Sequence, residues 1–376
     1  MRILLLITKA EIGGAQTMTL TLAKGLQAMG HEVVVGFGKN TGNFLPEVCA
    51  KNRIAAHAFE HLERSLNPLS LRSFTQEFKN FLAKESFDVV HLNSSNTLPA
   101  AKVIKQHFPK IKTVFTFRGL SYLDPGSKKP LLRILFKIFF GHYLPYVDAP
   151  VFVSKTNRDY AHSIGLSKSQ HVIYNAPEVT FLKKLQSRET FAMWTKKDKA
   201  FFERAKILGS IGRLAYPKNY EFILDNFQKL LIKNPGLIFV MIGSGPEKVK
   251  YQKIIAAHKL EDHVFIIENI DDAAKYIPGF DVFVLPSLYE GLSITLVEAL
   301  KAGVPILTSN VGGSHEVVND DLFQLYTSQN FEDFKTKLEA FLDDEHLYSA
   351  TVQSNLSFST HFSSQTMVEE YFKVYS

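Results

Sequence analysis

A chain of 376 residues has room for about two domains of ordinary size, and 45% hydrophobic content suits globular domains with real cores. One cysteine, Cys49, excludes an internal disulfide framework and fits a reducing compartment. The net charge of +6 is uneven: residues 1–175 carry 22 Lys and Arg against 11 acidic residues, the remainder 21 against 26. A basic first half suits an anionic partner, whether membrane lipid, a phosphate-bearing acceptor or nucleic acid.

The apolar start, Met1–Ile7, is a strand's length and is followed at once by Lys9 and Glu11, so it reads as a first strand and not as a signal peptide. No uncharged stretch reaches the ~18 residues that a membrane-spanning helix needs. Strands are expected at Arg2–Ile7, Glu32–Phe37, Val89–Leu92, Thr113–Phe117 and Ala149–Val153. Helices are expected at Ala15–Met29, Ser70–Lys84 and Thr97–His107. A linker is expected between Asn175 and Lys206, where N-A-P breaks the pattern and a polar, charged stretch follows.

The alternation then restarts. Strands are expected at Ile207–Ile211, Leu237–Ile242, Val264–Ile267, Asp281–Leu285 and Val304–Thr308. Helices near Tyr220–Lys233, Glu247–His258 and Ile294–Lys301 separate them, and Ser363–Tyr375 reads as a last helix. The fold class is therefore α/β: two doubly wound parallel sheets in series, with domains over about 1–180 and 200–360. A crevice between two such domains is the natural ligand site.

Several strand ends carry chemistry-bearing residues. Glu11-Ile-Gly13-Gly14-Ala15 joins the first strand to the first helix, and glycines there let backbone approach a phosphate. Alone, the pair is better read as a plain strand–helix turn. G-x-G-x-x-G is absent, which argues against a dinucleotide-binding dehydrogenase. Arg213 follows a strand and Lys218 comes five residues later; two such cations can neutralise a diphosphate leaving group. Gly243-Ser-Gly-Pro246 opens a helix after the next strand.

The most informative stretch is P-S-L-Y-E-G-L-S-I-T-L-V-E-A-L-K-A-G-V-P, in which Glu290 and Glu298 flank a seven-residue gap. Gly291, Leu292 and Ser293 form the mouth of a helix, whose unpaired N–H groups and dipole suit a phosphate. The two carboxylates accept hydrogen bonds from hydroxyls. An elongated, hydroxyl-rich phosphate ligand such as a nucleotide sugar fits; so, for the pair alone, does a solvated helix with two surface glutamates. No D-x-D triplet, zinc-type His/Cys spacing, nucleophile elbow or Walker loop occurs, so no metal site is expected.

These motifs, with A-G-V-P at Ala302–Pro305 and V-G-G-S-H-E at Val311–Glu316, resemble family 4 of the retaining glycosyltransferases over nearly the whole chain and in the family's order. The resemblance implies the GT-B architecture: two Rossmann-like domains facing a cleft, with the last helix crossing back to the first. It implies a glycosyltransferase, retaining and metal-independent, that uses a nucleotide-diphosphate sugar such as a UDP- or GDP-sugar and no cofactor. Arg213 and Lys218 would hold the diphosphate, Glu298 the ribose and Glu290 the sugar. Gly13 and Gly14 would face donor phosphate and acceptor, and Gly243 would lie beside the nucleotide. A glycan or lipid-linked acceptor is expected, in surface polysaccharide or lipopolysaccharide synthesis, with a cytoplasmic enzyme at the inner face of the membrane.

Three departures stand out. Arg118 in F-R-G-L occupies the place of a family histidine near the reacting sugar; arginine does not deprotonate, so it is no base, but it can still bind donor phosphate or an anionic acceptor, and its role stays open. Asn93 stands where some relatives have a second histidine, and Glu268-Asn269-Ile270 where a glycine often abuts the base. The stretch from Lys128 to Phe140, with Arg133 and Lys137, reads either as an interfacial membrane helix or as a core helix with a solvated edge. Two rival functions stay open: a nucleotide-sugar 2-epimerase-like enzyme of the same architecture, and a nucleic-acid-binding protein, for which no basic-aromatic recognition motif speaks.

Overall fold

A computed structural model describes residues 1–120, 130–318 and 323–376. The chain forms two compact units. The first comprises Met1–Glu178 and Phe362–Ser376, the second Val179–His361.

The first unit is a six-stranded parallel sheet of β1 (Arg2–Leu6), β2 (Glu32–Gly38), β3 (Ala55–Phe59), β4 (Val89–Leu92), β5 (Lys112–Phe117) and β6 (Ala149–Phe152). Its order is β3-β2-β1-β4-β5-β6, so the winding reverses between β1 and β4. The inner strands read as largely apolar runs because helices cover both faces; every β4 residue is buried, His91 included. The helices are α1 (Gly14–Ala28), α2 (Phe44–Lys51), α3 (Pro68–Leu82), α4 (Pro99–His107), α5 (Pro130–Tyr143) and α6 (Lys155–Ser163).

Within the basic aromatic stretch, α5 has one buried and one exposed side. Phe136 and Phe140 are buried against the core. Leu131, Ile134, Leu135 and Ile138, at i, i+3, i+4 and i+7, are exposed, as are Arg133 and Lys137. Lys128 and Lys129 lie outside the described residues. No helix among the described residues is long and apolar enough to cross a membrane.

The second unit repeats the plan. Its strands are β7 (Lys206–Ile211), β8 (Leu237–Ile242), β9 (Val264–Ile267), β10 (Val282–Leu285), β11 (Ile306–Ser309) and β12 (Leu325–Tyr326). The order is β12-β11-β10-β7-β8-β9, all parallel, reversing between β10 and β7. Its helices are α7 (Lys184–Thr195), α8 (Lys199–Arg204), α9 (Glu221–Leu224), α10 (Phe227–Leu231), α11 (Lys248–Ala257), α12 (Ile294–Lys301), α13 (Phe331–Asp343) and α14 (Glu345–Phe358).

The expected linker needs correction. Residues 184–204 form α7 and α8, packed into the second unit. The stretch is polar in sequence, yet Phe191 and Phe202 are fully buried. Arg188 is buried with them. Its guanidinium donates to Asp281 Oδ2 at 2.6 Å, to Gly279 O at 3.1 Å, and to the carbonyls of Phe202, Glu203 and Ala205. The expected helix over Tyr220–Lys233 is broken into α9 and α10. Asn226 bonds by its backbone N–H to Ile223 O, and its side chain takes Phe222 O, the carbonyl that a continuous ladder would use.

The last helix, α15 (Ser364–Tyr375), belongs to the first unit and lies across α1. A Cβ at Gly25 would sit 2.4 Å from a Val368 methyl, so glycine permits that crossing. Tyr375 and Tyr371 reach the sheet's interior. The Tyr375 hydroxyl is 2.7 Å from His91 Nδ1; His91 Nε2 is 2.7 Å from Thr116 Oγ1, which is 3.1 Å from the Tyr371 hydroxyl. Burial pushes the His91 pKa well below its ordinary value, with help from the Arg118 charge, so this histidine is neutral.

Candidate functional site

In a doubly wound sheet the two strands at the reversal send their connections to opposite sides, which leaves a crevice outside their carboxyl ends. The predicted site residues of the second unit gather at that point. Arg213 and Lys218 follow β7, Gly243 follows β8, and Glu290 and Gly291 follow β10 on the way into α12.

The Glu290 and Lys218 side chains are 11% and 19% exposed and form an ion pair, Nζ to Oε1, at 2.7 Å. Ser287 Oγ donates to the same oxygen at 2.6 Å. One oxygen thus carries the protein's own bonds, and the carboxylate is held in a fixed orientation. The Leu288 N–H to Pro217 O bond, 2.8 Å, ties the two loops together behind the pair. Arg213 is exposed, and among the described residues its guanidinium has no ion pair or hydrogen bond.

Backbone contact explains two of the glycines. Gly243 has φ +152, and a Cβ there would lie 2.0 Å from Gly212 O; at Gly245 it would lie 2.2 Å from Leu214 O. The G-S-G-P turn therefore lies flat on the Gly212-Arg213-Leu214 segment, with Leu214 N–H donating to Ser244 O at 2.9 Å. Gly312, with φ +51, packs in the same way on Glu290 O. Gly243 and Gly312 thus brace the strands that present Arg213 and Glu290.

α12 forms because Leu296, Val297, Ala299 and Leu300 bury against the sheet. Ser293 is its N-cap, but the Ser293 hydroxyl does not close the helix end and lies 3.1 Å from Thr295 Oγ1. The first-turn N–H groups are therefore not capped by that side chain. Gly291 and Leu292 are buried beside it.

Glu298 lies one turn further and is 9% exposed. Among the described residues its carboxyl has no hydrogen bond or ion pair. Burial, opposed by Lys301 and aided by Asp272, pushes its pKa up to about 8. A buried acid without a partner is costly to keep, and such groups cluster where ligands bind. At the end of β9, Glu268 pairs with Lys248, so the departure there carries its own counter-charge.

The first unit has its own reversal, between β1 and β4. Gly13 and Gly14 follow β1, Asn93 follows β4 and Arg118 follows β5. Gly13 is extended, and a Cβ there would meet only the tip of the Gln16 side chain, so the fold makes little demand for glycine. Arg118 donates to Asn93 Oδ1 at 2.6 Å and to Asn175 Oδ1 at 2.9 Å. Asn175 and Ser287 were not singled out as site residues in the sequence. Asn175 had marked only a break in pattern, and Ser287 carries no signal beyond its place after a strand.

Two reversal points of this kind, each with its polar residues at the carboxyl ends, define the class: a GT-B protein of two Rossmann-like units. The comparisons with known proteins agree. Residues 194–355 match the model of glycosyl transferases group 1, and residues 12–180 that of glycosyltransferase family 4. The chain belongs to the family 4, group 1 glycosyltransferases. It is 27% identical over 307 residues to an O-antigen biosynthesis glycosyltransferase, WclY, of Escherichia coli, covering 77% of this chain and 79% of that one. An uncharacterized glycosyltransferase of Haemophilus influenzae is 27% identical over 362 residues, covering 96% and 95%.

Among solved structures, sucrose-phosphate synthase from Thermosynechococcus elongatus superposes with a TM-score of 0.84 at 18% identity, covering 100% of this chain and 98% of that one. Anabaena HepE in complex with UDP and glucose gives 0.79 at 15%, covering 100% and 99%. At these identities the structural matches bear on the fold alone.

Proposed function

We propose that this glycosyltransferase moves a sugar from a nucleoside-diphosphate sugar to a glycan or lipid-linked acceptor, with retention of configuration and without a divalent ion, in the synthesis of a surface polysaccharide. The observation that carries the reading is the group at the second unit's reversal: the Lys218–Glu290 pair, and the Arg213 guanidinium and Glu298 carboxyl, both unpaired among the described residues. Two cations suit a diphosphate, and two acids spaced along one helix mouth suit ribose and sugar hydroxyls.

In the reaction, the bond from the anomeric carbon to the diphosphate breaks and a bond to the acceptor oxygen forms on the same face. Arg213 and Lys218 offset the charge that grows on the departing diphosphate. Glu290 orients the sugar through its hydroxyls. The acceptor proton passes to an oxygen of the leaving group. The O-antigen role of the E. coli relative supports the polysaccharide part of this reading.

The same reading sets the protein on an anionic bilayer through α5. No acidic residue occurs between Asp124 and Asp148, whereas Lys128, Lys129, Arg133 and Lys137 do. Cations beside four exposed aliphatic side chains complement lipid phosphates above an acyl layer.

The test is a thermal-shift panel of UDP-, GDP-, ADP- and CMP-sugars, followed by transfer assays with and without EDTA and NMR assignment of the product anomer. One donor is expected to raise the melting temperature through linkage. Failure of every nucleotide sugar to bind would sink the proposal; an inverted anomer, or loss of turnover in EDTA, would refute the finer chemistry.

A further inference from the structure

We propose that Arg118 is the receptor for an oxyanion, a carboxylate or phosphate group borne by the saccharide that reaches the first unit. The inference deepens the transfer reading and rests on it for the saccharide, but not for the anion.

Arg188 is a structural arginine: Asp281 neutralises it and four backbone carbonyls take its remaining donors. Arg118 is held otherwise. Its two hydrogen-bond partners, Asn93 Oδ1 and Asn175 Oδ1, are neutral amides, and among the described residues no carboxylate pairs with it. Its Nε is sealed from water and has no acceptor. A guanidinium enclosed without a counter-charge is expensive, and bridging two amide oxygens does not require a full positive charge.

The surroundings hold this charge in place. Asn93 is 1% exposed, and its Nδ2 donates to His91 O at 3.2 Å, which turns its oxygen toward Arg118. Behind it lies the His91–Thr116–Tyr371–Tyr375 network, with no acid in it. The guanidinium is thus pinned at the β4 and β5 ends, beside the reversal where Gly13 and Gly14 follow β1. The residue retains some exposed surface, so a ligand can reach it. A planar guanidinium suits carboxylate or phosphate better than a neutral hydroxyl.

The full chain labelled with 15N at arginine Nε provides the test. Arg118→Lys identifies the Arg118 resonance by its loss. Inorganic phosphate, methyl glucuronoside and neutral methyl glucoside are titrated separately, with UDP binding followed on the same samples. A saturable shift of the Arg118 signal is expected with at least one anion and none with the neutral glucoside. Response to phosphate alone assigns a phosphate-bearing ligand; response to the glucuronoside alone assigns a uronate. Arg118→Gln is expected to weaken the responding anion by roughly 10- to 100-fold while UDP affinity holds. An Arg118 signal that ignores both anions while UDP binds normally would overturn the proposal and leave Arg118 a brace. Anion binding without UDP binding would instead count against the transfer reading alone.

Discussion

Glu298→Gln is predicted to make the protein more stable and a poorer binder of its donor. In the folded chain, burial raises the Glu298 pKa from 4.5 to about 8. A raised carboxyl pKa means that the folded state holds a proton which the unfolded state has released between those values. Stability due to this group is therefore complete below the unfolded pKa and is lost as pH rises toward the folded one. The loss is about 1.4 kcal/mol per pH unit, which amounts to about 3 kcal/mol by pH 7. Glutamine has the shape of the protonated acid and does not titrate. The variant and the parent should match near the bottom of the range and diverge steadily as pH rises.

The single tryptophan makes the measurement specific. Trp194 lies in α7 of the second unit, edge-on to Tyr276 at 4.7 Å, so its fluorescence follows that unit during denaturation. Denaturant titrations from about pH 5 to about pH 8 should show a gap that widens in favour of the variant. UDP affinity should fall roughly tenfold, since a carboxyl oxygen able to accept from ribose hydroxyls becomes an amide nitrogen that only donates. Stability curves that run parallel across the range would refute the argument, for they would mean that Glu298 ionises freely in the folded chain.

Further outcomes follow from other contacts. Lys218→Ala should cost about 3 kcal/mol or more, because it strands the buried Glu290 charge, and adding Glu290→Gln should recover much of that loss in a double-mutant cycle. Asp281→Asn leaves Arg188 without its counter-charge and should lower second-unit stability by about 3–5 kcal/mol, read by Trp194 fluorescence. Ile134→Ser with Ile138→Ser should reduce cosedimentation with phosphatidylglycerol vesicles while leaving UDP binding intact; unchanged sedimentation would remove α5 from the membrane reading.

Most of the fold was legible because parallel strands covered on both faces are short, unbroken apolar runs. Val89–Leu92, Leu237–Ile242 and Val264–Ile267 were read with their observed bounds, as was the helix Ile294–Lys301. β3 was missed for a physical reason: it is an edge strand in which only Phe59 is buried, and its alanines carry little signal. β12 has two residues and no pattern to read. α7 and α8 looked like a linker because Arg188 and its partner Asp281 lie 93 residues apart, and burial of a charge is invisible until its counter-charge is placed.

The site divides along the same line. Residue types and spacing singled out Glu290, Lys218, Glu298 and Arg118. They did not reveal that Lys218 and Glu290, 72 residues apart, would pair with each other. Nor did they show that Glu298 would have no hydrogen bond or ion pair among the described residues, or that Arg118 would rest on Asn93 and Asn175. Those facts depend on which strand ends become neighbours, and the strand order fixes that only after folding.

The position of α15 has a consequence for how the protein is made. His91 and Thr116 emerge early from the ribosome, yet the tyrosines that meet them, Tyr375 and Tyr371, lie beyond the whole second unit in chain order. Nascent domains ordinarily mature in the order of translation. Here the sequence of events is inverted: the later domain is fully translated while the earlier one still waits for its closing piece.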